Sequence, residues 1–184
     1  RVLQQKGRVV ASFRGRDLVG LTYQPPYDAV KAGVEVQEFQ RPEGENSPAG
    51  QLQPVSSYTP RVITGDFVSL EEGTGVVHIA PAFGDEDLNA GREHSLAFIQ
   101  PVDLQGRIVG DLPGSEKFVK EADKDIIRDL KSRGLLYHQD VYRHTYPFCW
   151  RCGTPLLYYA KSAWYVRTTA VRDRLVSGNQ EINW

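Results

Sequence analysis

Apolar and polar positions along this chain fall into short stretches cut by glycine and proline. Val34-Glu35-Val36-Gln37-Glu38-Phe39 alternates with the period of two that marks a half-buried strand. Arg8 to Arg14 predicts a strand ending at Gly15, and Arg61–Thr64 and Phe67–Leu70 predict two more around Gly65-Asp66. Val76 to Ala80 reads as a buried strand returning from the turn Glu71–Gly75. Leu135–Tyr137, Val141–Tyr146 and Leu156–Val166 predict the remaining strands. The period changes to that of a helix at two places. Asp85 to about His94 opens with Asp85, Glu86 and Asp87, as the positive end of a helix dipole favours. Glu121 to Arg133 sets Ala122, Ile126, Ile127 and Leu130 on one face and stops at Gly134. Val171 to Val176 predicts a last amphipathic helix, and Pro25-Pro26 breaks any ladder running from Asp17. Residues 41–53, rich in Pro, Gly, Ser, Asn and Glu, read as a surface loop. The pattern predicts an α+β fold, mainly β, with a barrel-like sheet and inserted helices.

Charge and composition narrow the partners. The 184 residues carry Lys+Arg 22 against Asp+Glu 23, a formal net charge of −1, which disfavours a basic wrapper around duplex nucleic acid. Hydrophobic residues at 40% and charged ones at 24% fit a folded domain rather than a disordered tail. No apolar run approaches the ~20 residues of a membrane span, and two cysteines exclude a disulfide scaffold. The chain has no methionine, even at its first position, so it is expected to be processed or cut from something longer.

Candidate chemistry concentrates at two places. In Gly73-Thr74-Gly75-Val76-Val77-His78-Ile79-Ala80-Pro81-Ala82-Phe83-Gly84-Asp85-Glu86-Asp87, a turn and strand lead through a Pro/Gly elbow into an acidic helix start. Such an elbow exposes side chains and backbone N–H groups at one edge, where pockets form. His78 and Asp87, nine positions apart, are the residue types that hold an amine and position a water. The alternative is a capped helix beside a hydrogen-bonded core histidine. The second place is Cys149-Trp150-Arg151-Cys152-Gly153, a knuckle that grips half a tetrahedral zinc site. His138 and His144 lie upstream at a spacing that matches no common arrangement; a redox pair and two merely structural thiols are the other readings. Arg143, Arg151, Lys161 and Arg167 stand among Tyr142, Tyr146, Trp150, Tyr158, Tyr159, Trp164 and Tyr165. That mixture suits stacking on a single-stranded RNA end, or core aromatics flanked by snorkelling cations.

The segment Gly73 to Asp87 closely resembles the second editing-site motif of isoleucyl-tRNA synthetases. Phe13–Pro26 resembles that family's lead into the editing domain, and His144–Leu156 and Ser162–Tyr165 resemble its exit toward the catalytic core. The likeness covers nearly the whole chain outside 41–53. Valyl and leucyl relatives share the Gly-Thr-Gly and Pro-Ala frame but typically lack a histidine at the position of His78.

The resemblance implies a mainly β editing domain over 1–145, inserted in a Rossmann-type synthetase, and an exit segment over 146–184. It implies hydrolysis of valine wrongly attached to the isoleucine tRNA. One methylene in an apolar pocket discriminates by only about 1–3 kcal/mol, a general value for which isoleucine against valine is the standing example, so a second sieve is needed. Asp87 would pair with the ammonium of the aminoacyl group, and His78 would shape the pocket floor against the larger side chain. Gly73, Thr74, Gly75, Pro81, Ala82 and Phe83 would line the substrate. The family's Thr-rich strand ending in Pro-Trp-Thr-Leu-Pro-Gly-Asn does not occur here and is expected before the position of Arg1. Cys149 and Cys152 would be half of a split zinc site, while ATP and magnesium would belong to the parent ligase. The expected partners are the tRNA(Ile) 3′ end and the remainder of the synthetase chain, with no DNA and no membrane, in the cytoplasm. Two alternatives stand beside this reading: a zinc-knuckle module that docks a tRNA 3′ end without hydrolysis, and the same editing domain from a valyl-tRNA synthetase.

Overall fold

A computed structural model describes residues 8–40, 51–69, 74–141 and 144–183. The fold is α+β. Its centre is a three-stranded antiparallel sheet of β1 (Val36–Phe39), β2 (Leu52–Pro54) and β3 (Ala97–Ile99), ordered β2-β1-β3. Phe39 pairs with Leu52 on one side, and Val36 pairs with Ile99 on the other. Pro54 is tolerated because β2 is an edge strand, where a missing N–H breaks no inner ladder.

The predicted alternation of β1 puts its two faces to different uses. Val34 and Val36 join Ala29 and Ala32 in the buried cluster, with Ile99, Tyr58 and Leu112 packed against it. Phe39, only 2% exposed, lies on the opposite face by the period of two, edge-on to Phe98 with ring centres 6.0 Å apart. There α1 (Asp85–His94) closes onto the sheet at a glycine. A Cβ on Gly91 would lie 2.8 Å from the Phe39 ring and 3.0 Å from Pro81.

The first two predicted helices form, for the reasons their sequences give. α1 starts after Gly84 in extended backbone, carries its three acids in the first turn, and ends at Ser95 in the left-handed conformation. The Arg61 guanidinium donates to the carbonyls of His94 and Ser95, satisfying acceptors that a helix end leaves unpaired. α2 (Val119–Ser132) begins two residues before the expected Glu121 and buries Ala122 completely. Gly134 at φ +68° turns the chain back, and Leu135 N–H donates to Leu130 O at 2.8 Å.

The barrel-like closure does not occur among the described residues: the sheet is open and has three strands. Residues 8–14 are exposed and irregular, followed by a 3₁₀ turn over Gly15–Leu18. Arg61–Thr64 contributes a single bridge, Arg61 to Thr22, and 67–69 contributes none; Leu70 lies outside the described residues. Val76–Ala80 is neither a strand nor buried, with Val76 and Val77 exposed. Leu135–Tyr137 and the described parts of Val141–Tyr146 are likewise irregular, and so is Leu156–Val166. Alternation states which face a strand would bury but supplies no partner, and without a partner the backbone forms no ladder. Conversely, β2 takes the end of the predicted 41–53 loop, whose residues 41–50 lie outside the described set, and β3 has no counterpart among the predicted strands. α3 (Arg172–Gln180) confirms a last helix but buries no residue.

Candidate functional site

The elbow is built by local turns. Thr74 Oγ1 accepts from Val76 N–H at 3.3 Å, tightening the chain around Gly75, whose φ of +73° suits glycine. Phe83 N–H donates to Ala80 O at 2.8 Å, and Leu88 N–H donates to Gly84 O to start α1. Pro81 and Ala82 are buried and anchor the elbow against the sheet side; Phe83 is half-buried. Gly73, also expected here, lies outside the described residues.

The first turn of α1 treats its three acids differently. Glu86 is exposed. Asp85 faces the Tyr158 hydroxyl, which it holds above the ordinary phenol value through hydrogen bonding and charge. Asp87 is half-buried and folds back over Gly84, its Oδ2 2.9 Å from where a Cβ on that glycine would sit. Among the described residues the Asp87 carboxylate has no hydrogen-bond or ion-pair partner. His78 is exposed, outside any regular element.

Beneath the elbow lies an apolar cavity of about 350 Å³. Phe83, Val102, Ile108, Ile126, Leu157 and Tyr158 line it, with Lys120 and Tyr27 at its polar points. Of the described elbow residues picked from sequence, Phe83 alone reaches this cavity; His78 and Asp87 do not line it. Lys120 also lies 4.5 Å from the centre of the Tyr146 ring, so its charge rests on an aromatic face. Sequence reasoning did not single out Tyr27 or Lys120 for a pocket, and it treated Tyr158 as one aromatic among many.

Tyr27 locks the cavity wall to the end of α2. Its hydroxyl donates to Asp129 Oδ2 at 2.8 Å; Arg133 donates to Asp129 at 3.0 Å and to Pro26 O at 2.7 Å. Burial first, and then the Asp129 hydrogen bond, push the Tyr27 phenol from 10.0 up to about 12, while the same hydrogen bond holds the Asp129 carboxyl below its usual range. A phenol raised in the folded state stabilises fully below its unfolded value and loses that contribution as pH rises from about 10 to about 12. Asp129 mirrors it, losing its contribution as pH falls through the carboxylate range. Tyr27→Phe is expected to cost about 1–2 kcal/mol at neutral pH. It should also remove Tyr27's part of the alkaline slope, as read from denaturant midpoints taken across pH 8–12.

The two cysteines share one turn. Cys149 N–H donates to Thr154 O and Gly153 N–H to Cys149 O, both at 2.8 Å, and Phe148 bridges Pro155. Cys152 Sγ lies 3.0 Å from Thr154 Oγ1, which lowers the Cys152 thiol from its ordinary value, with Cys149 adding to the effect. Two thiols on such a knuckle fit half of a tetrahedral site. No third His, Cys, Asp or Glu joins them among the described residues, His138 and His144 included. At the tip, Trp150 is 87% exposed with the Arg151 guanidinium 4.8 Å from its ring centre. Tyr142 and Arg143 lie outside the described residues.

The described residues thus combine an open α+β sheet, an acidic elbow and a dithiol turn in one chain. No protein-family model matches it. Individual relatives do. The chain is 52% identical over 176 residues to an isoleucine–tRNA ligase of Dehalococcoides mccartyi (strain CBDB1), covering 96% of itself and 17% of that protein. It is 38% identical over 185 residues to an isoleucine–tRNA ligase of Thermus thermophilus, covering 100% of itself and 15% of the relative. A third, from Thermoplasma volcanium, is 48% identical over 138 residues, 74% of this chain and 13% of the relative. The chain belongs to the isoleucine–tRNA ligase family, and it spans about one sixth of the length of the curated relatives it matches.

Proposed function

We propose that this chain is the editing segment of an isoleucine–tRNA ligase, hydrolysing valine esterified to tRNA(Ile). The observation that carries the reading is Asp87. It is half-buried at the positive end of α1 and has no partner among the described residues, as a carboxylate kept for a substrate ammonium would be. In this reading the Asp87 carboxylate holds the aminoacyl ammonium, and His78, on the exposed run before the elbow and outside the cavity lining, limits the side chain admitted beside it. Water attacks the ester carbonyl: its oxygen bonds to the acyl carbon, the bond from that carbon to the ribose oxygen breaks, and a proton passes from the water to the departing ribose hydroxyl. The products are valine and uncharged tRNA.

Residues 1–145 form the editing domain in this reading, and 146–184 lead toward the aminoacylating core, which uses ATP and magnesium in the cytoplasm. Cys149 and Cys152 supply two thiolates to a zinc ion that would stiffen the knuckle. Relatives named for isoleucine favour this assignment over a valyl-tRNA ligase. The test is a crystal of the full-length ligase soaked with a non-hydrolysable valyl-adenosine analogue. Density with its amine beside Asp87 is expected.

A second reading attaches to the knuckle tip. Arg151 stacked on an exposed Trp150, with Lys161, Arg167, Arg172 and Arg174 following in an exposed stretch, suits docking of an RNA strand without hydrolysis. Density for the adenosine analogue at Trp150 and Arg151 alone would favour it.

A further inference from the structure

The main chain of the elbow is lightly tied to the rest of the fold. Among the described residues, one main-chain hydrogen bond joins 76–84 to a distant segment: Ala160 N–H donates to Ala82 O at 2.7 Å. The other elbow bonds, Phe83 N–H to Ala80 O and Leu88 N–H to Gly84 O, are local. A segment held by so few hydrogen bonds opens locally at small cost.

The donor sits on a strap that continues the dithiol hairpin. Phe148 bridges Pro155, Leu156 N–H donates to Pro147 O at 3.0 Å, and the Tyr146 hydroxyl donates to Leu156 O at 2.6 Å. Beyond the hairpin the second arm shows a period of two: Pro155, Leu157 and Tyr159 are half-buried, while Leu156 and Tyr158 are exposed. Leu157 lines the cavity with Phe83, and its Cδ1 lies 2.5 Å from where a Cβ on Gly106 would sit. The Tyr159 hydroxyl donates to Leu104 O at 3.4 Å. That turn is itself braced, since Asp103 Oδ1 accepts from the Gln105 and Arg107 N–H groups at 2.9 and 2.8 Å. The strap therefore rests on a firm turn and offers one N–H to the elbow.

Only Phe83 and Gly84 separate Ala82 from α1, whose first turn carries Asp87. A displacement of about 1 Å at a reacting group is enough to cost a hundredfold in rate. We propose that Ala160 is a positioning residue: its N–H, held by the strap over 155–160, fixes the Ala82 carbonyl and with it the start of α1, so that Asp87 meets the substrate ammonium in register. This rests on the reading of Asp87 given above and extends the site into the exit segment.

The test uses the full-length ligase and valyl-tRNA(Ile). Lactic acid in place of Ala160 exchanges the N–H for an ester oxygen and keeps the methyl side chain. Ala160→Pro removes the same donor by ordinary mutagenesis. Each is expected to lower deacylation kcat by about tenfold, with KM within about twofold of wild type and isoleucylation unchanged. In an Asp87→Ala background the ester should slow residual deacylation by less than about twofold, because the N–H acts through that carboxylate. A wild-type kcat in the ester variant would overturn the role of Ala160. So would an equal tenfold loss with and without Asp87, or a matching loss of isoleucylation, since either marks a merely structural bond. If Ala160→Pro fails to fold, the ester variant decides by itself. Asp87→Ala separates the two ideas. If it abolishes deacylation while the ester changes nothing, only the positioning role fails; if it leaves deacylation intact, the site itself is misassigned.

Discussion

Asp87→Ala in the full-length ligase is expected to slow hydrolysis of valyl-tRNA(Ile) by at least about a hundredfold, with isoleucylation unchanged. The side chain makes no hydrogen bond among the described residues, so the loss would not come from a broken structural contact. Its carboxylate lies close against Gly84, which gives a graded control. A Cβ at position 84 would meet Asp87 Oδ2 at 2.9 Å, and the extended backbone there, at φ −156°, accepts any residue. Gly84→Ala therefore displaces the carboxylate without straining the chain and should give a smaller fall in the same rate. Glu86→Gln, at an exposed position of the same turn, should leave the rate alone. Deacylation at the wild-type rate in Asp87→Ala would remove Asp87 from the chemistry.

The largest effect on stability is expected at Gly110. This glycine sits at φ +82°, and a Cβ on it would lie 2.5 Å from the Ala32 carbonyl oxygen and 2.8 Å from Val34 Cγ2. The first of these atoms is backbone and already accepts from Asp111 N–H at 2.7 Å, so it has little freedom to move. Gly110→Ala combines a left-handed backbone cost with overpacking of the cluster that supports β1, together about 2–4 kcal/mol. Gly153, at φ +69° with nothing within 4 Å, isolates the backbone part; its alanine variant should lose only about 1 kcal/mol. Denaturant unfolding of the two variants checks the difference. Equal losses would mean that the Ala32 carbonyl yields.

Much of the local structure was legible. α1 was readable from three acids at its start and α2 from a single apolar face, because helix pairing is internal to the segment and its ends are marked by charge and glycine. β1 was readable from its alternation. Its partners were not: Leu52–Pro54 reads as loop until the edge of β1 gives it a ladder, and Ala97–Ile99 is too short to carry a period. The same limit works in reverse at Val76–Ala80 and Leu156–Val166, whose apolar and aromatic runs read as strands and form none. The elbow was legible as a motif, but the division of labour within it was not.

What the sequence alone determined here is the set of elements whose causes lie within a few residues: the acidic helix start, the glycine stops, the alternation of β1 and the turn that brings Cys149 and Cys152 together. The tertiary structure alone decided which strands pair and that Phe83 lines a cavity. It also tied Ala160, from far along the chain, to the Ala82 carbonyl of the elbow. Pairing and burial are set by contacts between distant segments, and a local pattern constrains one side of such a contact without naming the other.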